Sequence, residues 1–216
     1  MNYREQRAYL NCEKRLFDGA GLYGFPEIKG EKVDLTGTEI IGFNYVLGEK
    51  HPENKVVHFY LDDYQFERVW SLPERYVELL KQYKAVLSPD FSMYVDFPRV
   101  VSMFNHYRKQ WCGAYWQEYG INVIPTVGWS DEASFEWCFD GLPKEAMVSV
   151  STIGAWKKPE ARELWLKGWS KMLSVLKPET VLLIGKQFPE IKFDGELIVV
   201  QSQNLKAIDE KAKRGE

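Results

Sequence analysis

The chain has 216 residues and a formal net charge of −3, with a sequence pI near 5.8. That length fits one domain whose core needs no disulfides. The acidic balance argues against a protein that binds duplex DNA by broad phosphate neutralisation. Cys12, Cys112 and Cys138 form no Cys-x-x-Cys pair, which indicates free thiols in a reducing compartment. Because no run approaches membrane-spanning length and no apolar signal core is present, we expect a cytoplasmic protein without a membrane partner.

Residues 1–35 predict an irregular arm, because glycine and proline occur too densely for long helices or strands. Apolar and aromatic residues such as Tyr23 and Phe25 remain in this arm. We therefore expect it to pack on the domain instead of being disordered. Residues 36–204 are predicted to form a single α/β domain. Residues 205–216 are predicted to form a charged, solvated C-terminal tail.

Short apolar runs follow the arm, and each of them closes on polar residues. Runs that are apolar on both faces are typical of strands covered on both sides. Pro125 stands inside the fourth run and favours an edge strand or a bulge there, since proline cannot donate to a ladder. The runs lie at 39–44, 56–61, 85–87, 122–127, 147–150, 180–184 and 197–200.

Helical patterns occupy the gaps between these runs, at 73–83, 99–119 and 159–176, with a shorter one at 134–139. Regular alternation of strand and helix predicts a parallel sheet with right-handed crossovers. We expect a compact, incomplete β/α barrel of about seven mostly parallel strands. The alternative is an open doubly wound sheet. The barrel is favoured because strand ends of similar polarity recur along the whole set.

Carboxylates follow three of the predicted strands, at Asp63, Asp90 and Asp131. In either architecture the carboxyl ends of parallel strands meet at one edge, where ligands bind. Converging carboxylates can hold Mg²⁺ or Mn²⁺, or divide acid and base work between them. These three residues are the predicted catalytic set. The competing interpretation is that they cap helices and form turns, as Asp often does after a strand.

Further polar and aromatic residues are predicted to bind the ligand at the same edge. Trp129 lies at a strand end between Gly128 and Ser130 and is better placed to line a pocket than to fill a core. Most other rings, including those in 111–119, are expected to pack between helix and sheet, but Trp116 is kept as a candidate anchor beside Trp129. The predicted ligand-binding residues are Asn44, Arg108, Trp116, Trp129, Ser130, Ser151 and Lys186, with Lys186 or Arg108 available for an anion.

The histidines indicate no catalytic or metal site. We expect His58 to be a core or interface histidine, His51 to lie in a polar loop, and His106 to share a charged outer helix face with Arg108 and Lys109. Their spacing does not match a zinc site. The chain also has no Gly-x-Ser-x-Gly elbow, no Walker-type loop and no Gly-x-Gly-x-x-Gly after a strand. It therefore carries no nicotinamide, flavin or zinc signature.

Several segments together resemble one family. They are Phe59 to Trp70 (FYLDDYQFERVW), Leu87 to Ser92 (LSPDFS), Gly113 to Gln117 (GAYWQ) and Ile124 to Asp131 (IPTVGWSD), with 135–141 and 151–154 in the same pattern. The sequence is similar, over about Tyr23 to Lys186, to the family catalogued as domain of unknown function 4417. The resemblance implies a phage or mobile-element context, and it implies no activity.

Three functions are compatible with these observations. The leading hypothesis is a hydrolase-like enzyme that acts on a phosphorylated or nucleotide-related compound at the carboxyl ends of the strands. The second is a binding module that sequesters a small molecule or blocks a host protein without turnover. The third is a protein that binds single-stranded nucleic acid through its aromatic residues, which the acidic net charge disfavours.

Overall fold

The computed structural model describes residues 10–156 and 158–200. Each apolar run of the sequence coincides with a strand, and each long helical pattern with a helix. The strands are β1 (Gly19–Ala20), β2 (Phe25–Pro26), β3 (Glu39–Gly42), β4 (Lys55–His58), β5 (Ala85–Leu87), β6 (Val123–Ile124), β7 (Met147–Ser151), β8 (Thr180–Ile184) and β9 (Glu196–Val200). The α-helices are α1 (Arg68–Ser71), α2 (Pro73–Leu80), α3 (Arg99–Glu118) and α4 (Pro159–Leu176).

The strands form two parallel sheets in which spatial order follows chain order. One sheet has the order β3-β4-β5-β6 and the other β7-β8-β9, and every neighbouring pair in them is parallel. A parallel bridge between Thr126 and Ser149 joins the two. The predicted α/β class is confirmed. Within residues 10–156 and 158–200 neither sheet closes on itself, so the predicted barrel is not shown.

Pro125 ends the fourth strand and leads the chain from the first sheet to the second. β6 stops at Ile124 and lies at the edge of the four-stranded sheet, as the position of the proline predicts. The Pro125 carbonyl accepts a hydrogen bond from the Ser149 N–H at 2.8 Å, and the Val127 N–H donates to the Ser149 carbonyl at 2.7 Å. Proline cannot donate a backbone hydrogen bond, and at this position only the carbonyl of Pro125 takes part in strand pairing.

Side chains alternate between two faces of the strands, as the period of a strand requires. On one face, Val57 and Val86 pack with residues of α2 and α3, and Val148 and Val181 pack with residues of α4. The other face contributes to a separate apolar cluster that draws on strands of both sheets. That cluster contains Val33, Val56, Tyr60, Ala85, Leu87, Ile124, Met147, Leu182 and Ile184.

The helix ends follow local signals in the sequence. α4 begins with Pro159 at its first position, where the missing N–H has no helical partner to lose. α3 stops at Glu118, and Gly120 follows it with φ 77°, a conformation that favours glycine. The short pattern at 134–139 is a 3₁₀ helix, Glu132–Glu136. In the part of the chain that the structure describes, no helix is both long and apolar enough to cross a bilayer.

Residues 10–35 pack onto the remainder of the described chain. Their strands β1 and β2 pair antiparallel, and Phe25, Ile28 and Val33 are 2%, 2% and 8% exposed. Each of these side chains belongs to a different apolar cluster. The predicted charged tail at 205–216 lies outside the described residues, and the division into arm, domain and tail stays a prediction.

Candidate functional site

A cavity of about 480 Å³ opens at the carboxyl ends of the parallel strands. The loops after β4, β5, β6 and β7 form its walls, and we call it the carboxyl-edge cavity. Aromatic and aliphatic side chains provide most of its lining, with few polar groups among them. It is lined by Tyr60, Leu61, Asp62, Gln65, Asp90, Phe91, Ser92, Met93, Tyr94, Val127, Gly128, Trp129, Val150, Ser151, Ile153, Gly154 and Trp165.

Asp90 is partly buried in this lining, three residues after the end of β5. Burial raises the pKa of its carboxyl to about 7, while the Lys109 charge acts to lower it and the Asp63 charge to raise it. The carboxyl makes no hydrogen bond to any residue within 10–156 and 158–200. A group that titrates near neutral pH can both accept and donate a proton at a useful rate.

Lys109 lies behind Asp90 on α3 and is 1% exposed. Its ammonium has no hydrogen-bond partner among the described residues. Burial lowers its pKa, and the charges of Asp90 and Cys138 oppose that shift. Burying an ammonium without a hydrogen-bond partner costs free energy. Lys109 therefore lowers the stability of the folded protein at a position beside the cavity.

The prediction that His106, Arg108 and Lys109 form a charged outer helix face is wrong, because all three are buried. The N-terminal strand pair covers this part of α3, where the Phe25 and His106 ring centroids are 4.6 Å apart. His106 Nε2 lies 3.0 Å from the Asp140 carbonyl oxygen. Helical periodicity could not reveal this, because the covering segment lies about 80 residues earlier in the chain.

Arg108 is engaged by other side chains instead of facing the cavity. Its Nη1 donates to Glu67 Oε1 at 2.7 Å and its Nη2 to Asn105 Oδ1 at 2.7 Å. Its guanidinium carbon lies 3.9 Å from the Phe91 ring centroid. These contacts occupy the cation that the sequence analysis offered to an anionic ligand.

Asp63 holds the loop that carries Asp90. Its carboxylate accepts hydrogen bonds from the Ser92 N–H at 3.1 Å and from the Ser92 hydroxyl at 2.7 Å. Asn105 Nδ2 fixes the same residue from α3 by donating to the Ser92 carbonyl at 2.6 Å. Asp63 is therefore placed to position the loop, and it does not line the cavity.

Asp131 and Ser130 form the start of the 3₁₀ helix. The Asp131 carboxylate accepts from the Ser134 N–H at 2.9 Å, and the Ser130 N–H donates to the Ser134 hydroxyl at 3.1 Å. Asp131 therefore caps the 3₁₀ helix, as the competing interpretation of the sequence expected. Across residues 10–156 and 158–200, no group of three or more His, Cys, Asp or Glu side chains could hold a metal ion. The three predicted catalytic aspartates therefore do not form a metal site together.

Trp129 lies in the cavity wall and packs against α4. A Cβ at Gly168 would stand 2.1 Å from Trp129 Cε2, so this helix must carry glycine there. The Trp129 and Trp165 ring centroids are 5.8 Å apart. Trp165 Nε1 donates to the Ser151 carbonyl at 2.7 Å, which joins the wall to the end of β7.

Besides Arg108 and Ser130, three predicted ligand-binding residues lie away from the lining. Asn44 is exposed after β3, and Trp116 is fully buried with its ring centroid 5.6 Å from that of Phe59. Lys186 is partly exposed, with its Nζ 6.0 Å from the Trp156 ring centroid. Asp90, Trp129 and Ser151 are the members of the predicted set that line the cavity.

Tyr60 also lines the cavity, although it is not among the site residues predicted from the sequence. Its hydroxyl lies 2.9 Å from Ser149 Oγ, and burial, with Asp90 nearby, raises its pKa well above the usual range. The sequence signal that could have identified Tyr60 is its place near the end of the second apolar run, two residues before Asp62.

His58 lies two residues before Tyr60 and is 2% exposed, and burial lowers its pKa to about 4. The expected core position of this histidine is thus confirmed.

The two buried cysteines offer no nucleophile to the cavity. Cys112 and Cys138 are free, as the sequence indicates, and both are fully buried. Burial raises the pKa of the Cys138 thiol to about 12 and that of Cys112 further. Thiols with raised pKa values are inert near neutral pH.

Comparison with known proteins assigns the chain to a family. The model described as "Domain of unknown function (DUF4417)" matches residues 17–202, so the chain belongs to this family. It is similar to the "Gene 1 protein" of Mycobacterium phage D29, with 41% identity over 201 residues, covering 86% of this chain and 74% of the phage protein. The "Gene 1 protein" of Mycobacterium phage L5 is 34% identical over 172 residues, covering 79% and 74%. No solved structure matches. The resemblance read from the sequence, and its phage association, are confirmed.

Proposed function

We propose that this member of the DUF4417 family is an enzyme that binds a small organic molecule in the carboxyl-edge cavity and exchanges a proton with it through Asp90. One observation carries the proposal: a carboxyl with a pKa of about 7 lines the cavity and has no hydrogen-bond partner in the described chain. A buried carboxyl without a partner weakens the fold. Perturbed titratable groups of this kind concentrate at functional sites.

The dimensions and lining of the cavity support the same proposal. Its volume of about 480 Å³ falls within the range of roughly 300–1,000 Å³ that ligand sites occupy. Aromatic walls with a few convergent polar groups are the usual composition of such sites. Its place at the carboxyl ends of parallel strands is where α/β proteins bind ligands.

The lining argues against the phosphorylated substrate that the sequence favoured. It contains the carboxylates Asp62 and Asp90, and no Lys, Arg or His contributes to it within the described residues. A phosphate in the cavity would meet these carboxylates without a cation in the lining to bind it. The same lack of lining cations weighs against single-stranded nucleic acid.

We also propose that the two sheets make one curved array, the incomplete barrel that the sequence favoured. Two features support this: the bridge from Thr126 to Ser149, and the shared apolar cluster on the face away from α2, α3 and α4. Chain-order neighbours and helices on one face are the arrangement of a singly wound sheet. Curvature of this kind would bring the loops after β4 and β7 to opposite walls of one cavity.

Conversion of a compound in a mixture tests the proposed activity. The full chain would be incubated with the small-molecule fraction of a bacterial extract, and the mixture followed by mass spectrometry. We expect one compound to be depleted as another appears, and we expect Asp90→Asn to abolish the conversion. Asp131→Asn is the matched control, because asparagine keeps the cap and the residue lies outside the cavity. Conversion at full rate by Asp90→Asn would overturn the proposed role of this carboxyl.

The second candidate is a binding module without turnover. It is favoured by the serine hydroxyls of the lining, because Ser92 and Ser151 already donate to Asp63 and to the Ile184 carbonyl. Few polar groups beyond the carboxylates then remain for chemistry. Recovery of one unchanged compound from the denatured protein, with no conversion in the extract, would favour this candidate over the enzyme.

A further inference from the structure

The polar groups that line the carboxyl-edge cavity are unequally available to a ligand. Three of its hydroxyls are used inside the protein: Ser92 donates to Asp63, Ser151 to the Ile184 carbonyl, and Tyr60 pairs with Ser149. The Ser92 N–H is also used by Asp63. The lining side chains that can still donate to an occupant are then few, the Gln65 amide and the Tyr94 hydroxyl among them.

Acceptors, in contrast, remain available. The Asp62 and Asp90 carboxyls both line the cavity, and neither makes a side-chain hydrogen bond within residues 10–156 and 158–200. A carboxylate is an acceptor with capacity for several donors. A ligand that complements the cavity therefore carries hydrogen-bond donors or a positive charge.

The rings of the cavity suit positive charge as well. Tyr94 is 58% exposed and Trp129 is partly exposed, so both present surface to an occupant. The faces of Trp and Tyr attract cations within about 6 Å of the ring centroid. The protein already uses a lining ring in this way, because the Arg108 guanidinium lies 3.9 Å from the Phe91 centroid.

The positive charge of Lys109 does not outweigh the negative charge of the carboxylates at the cavity. It supplies one buried positive charge beside Asp90. Against it stand the two lining carboxylates Asp62 and Asp90, with Asp63 near enough to act on Asp90. The cavity therefore stays acidic when its carboxylates are ionised.

We infer that the carboxyl-edge cavity selects an organic cation, a protonated amine or quaternary ammonium group held between the carboxylates of Asp62 and Asp90 and the rings of Trp129 and Tyr94. This inference rests on the proposed function, because it names the ligand class of the same cavity. The acceptor excess, the free carboxylates and the exposed rings together specify the sign of the ligand's charge.

A pair of isosteric probes tests the sign directly. Choline carries a quaternary nitrogen, and dimethylbutanol is its neutral analogue with carbon in that place. The full chain would be titrated with each at pH 8, using tryptophan fluorescence and ligand-observed NMR. We expect choline to bind at least about tenfold more tightly than dimethylbutanol, since a desolvated cation–π contact with a carboxylate neighbour is worth that ratio or more. Asp90→Asn should remove most of this preference.

Gly128→Leu provides a variant that fills the cavity. A Cβ at Gly128 would stand 3.3 Å from the flexible Met93 Cε and 3.7 Å from Asp90 Oδ1, so a larger side chain extends into the ligand space. We expect Gly128→Leu to abolish choline binding. Asp131→Asn should leave it unchanged.

The outcomes separate this inference from the proposed function. Equal affinities for the two probes, or no binding of either, overturn the inference about charge. Conversion of an extract compound that Gly128→Leu abolishes would then still support the cavity as the site. Choline binding that survives Gly128→Leu would show that the cation binds elsewhere and would overturn the inference.

Discussion

The loops after β5 and β6 each carry an aspartate, and the two carboxyls lie in opposite situations. Asp131 turns back onto its own loop and accepts a hydrogen bond from the Ser134 N–H. Asp90 has no such partner in the described chain, and its pKa rises to about 7 through burial. The difference shows that an aspartate at a strand end becomes structural when the following residues supply an N–H. Where another side chain already holds the loop, as Asp63 does at Ser92, the aspartate stays available to a ligand.

The largest expected effect on the free energy of unfolding comes from replacing Asp90, the aspartate without a hydrogen-bond partner, by a neutral residue. The folded-state pKa of Asp90 is about 7 and its unfolded value is near 3.8. Between these values the folded state holds a proton that the unfolded state lacks, so the contribution of Asp90 to stability falls as pH rises through this window. We expect Asp90→Asn to increase the free energy of unfolding by about 3 kcal/mol at pH 8, after allowance for partial exposure.

Denaturant unfolding of both proteins at pH 8 and at pH 4 measures this difference. Near pH 4 the wild-type carboxyl is protonated in the folded state, so the variant should gain little there. A gain of the same size at both pH values would contradict the assigned ionisation of Asp90.

The second effect concerns the wall on the β6 side. Gly168→Ala places a methyl group 2.1 Å from Trp129 Cε2, so the ring must move. We expect a loss of about 2 kcal/mol in the free energy of unfolding, because overpacking outweighs the better helix propensity of alanine. Urea unfolding with tryptophan fluorescence would detect both the loss and a change around Trp129. Ser170→Ala, on an exposed position of the same helix, is the control and should be close to neutral.

The third effect concerns the support of the β5 loop. Asp63→Ala removes the acceptor of the Ser92 N–H and hydroxyl. We expect a loss of about 1.5 kcal/mol in the free energy of unfolding, as for hydrogen bonds to a charged group. Hydrogen exchange at Ser92 should also accelerate. Asp63→Asn keeps one acceptor oxygen and should recover part of the loss; unchanged exchange in Asp63→Ala would contradict the support role.

The smallest effect concerns the cap. Asp131→Ala should lower the free energy of unfolding by about 1 kcal/mol, the usual cost of losing an N-cap. Asp131→Asn should keep most of that stability. Neither variant should change choline binding, which titration would check. A loss of binding in both variants at full stability would place Asp131 in the site and remove the contrast with Asp90.

Much of the secondary structure could be predicted because its signals are local. Apolar runs identified the parallel strands and helical periodicity the long helices. Pro125 indicated that the fourth strand would lie at an edge or carry a bulge, and it lies at an edge. The helix predicted at 159–176 has the bounds Pro159–Leu176. Closure of the sheet depends on pairing between distant strands, and no local pattern encodes it.

The candidate site was predicted in location more than in composition. Asp90, Trp129 and Ser151 line the cavity, whereas Trp116 lies in the core with 0% exposure. Lys109 was assigned to an outer face because its helix neighbours are polar, and it is buried. Burial of a helix position depends on which other segments cover it, and these come from distant parts of the chain.

By itself, the sequence determined the alternation of strands and helices, the family, and the edge of the strands at which the cavity opens. Apolar periodicity and strand polarity are properties of short segments, so they can be read without a structure. Tertiary structure alone decided which strand-end aspartate is free. That outcome depends on whether Ser134, Ser92 or no group at all lies within hydrogen-bonding distance of each carboxyl. It also decided the burial of Lys109 behind Asp90, because α3 is covered by residues about 80 positions away.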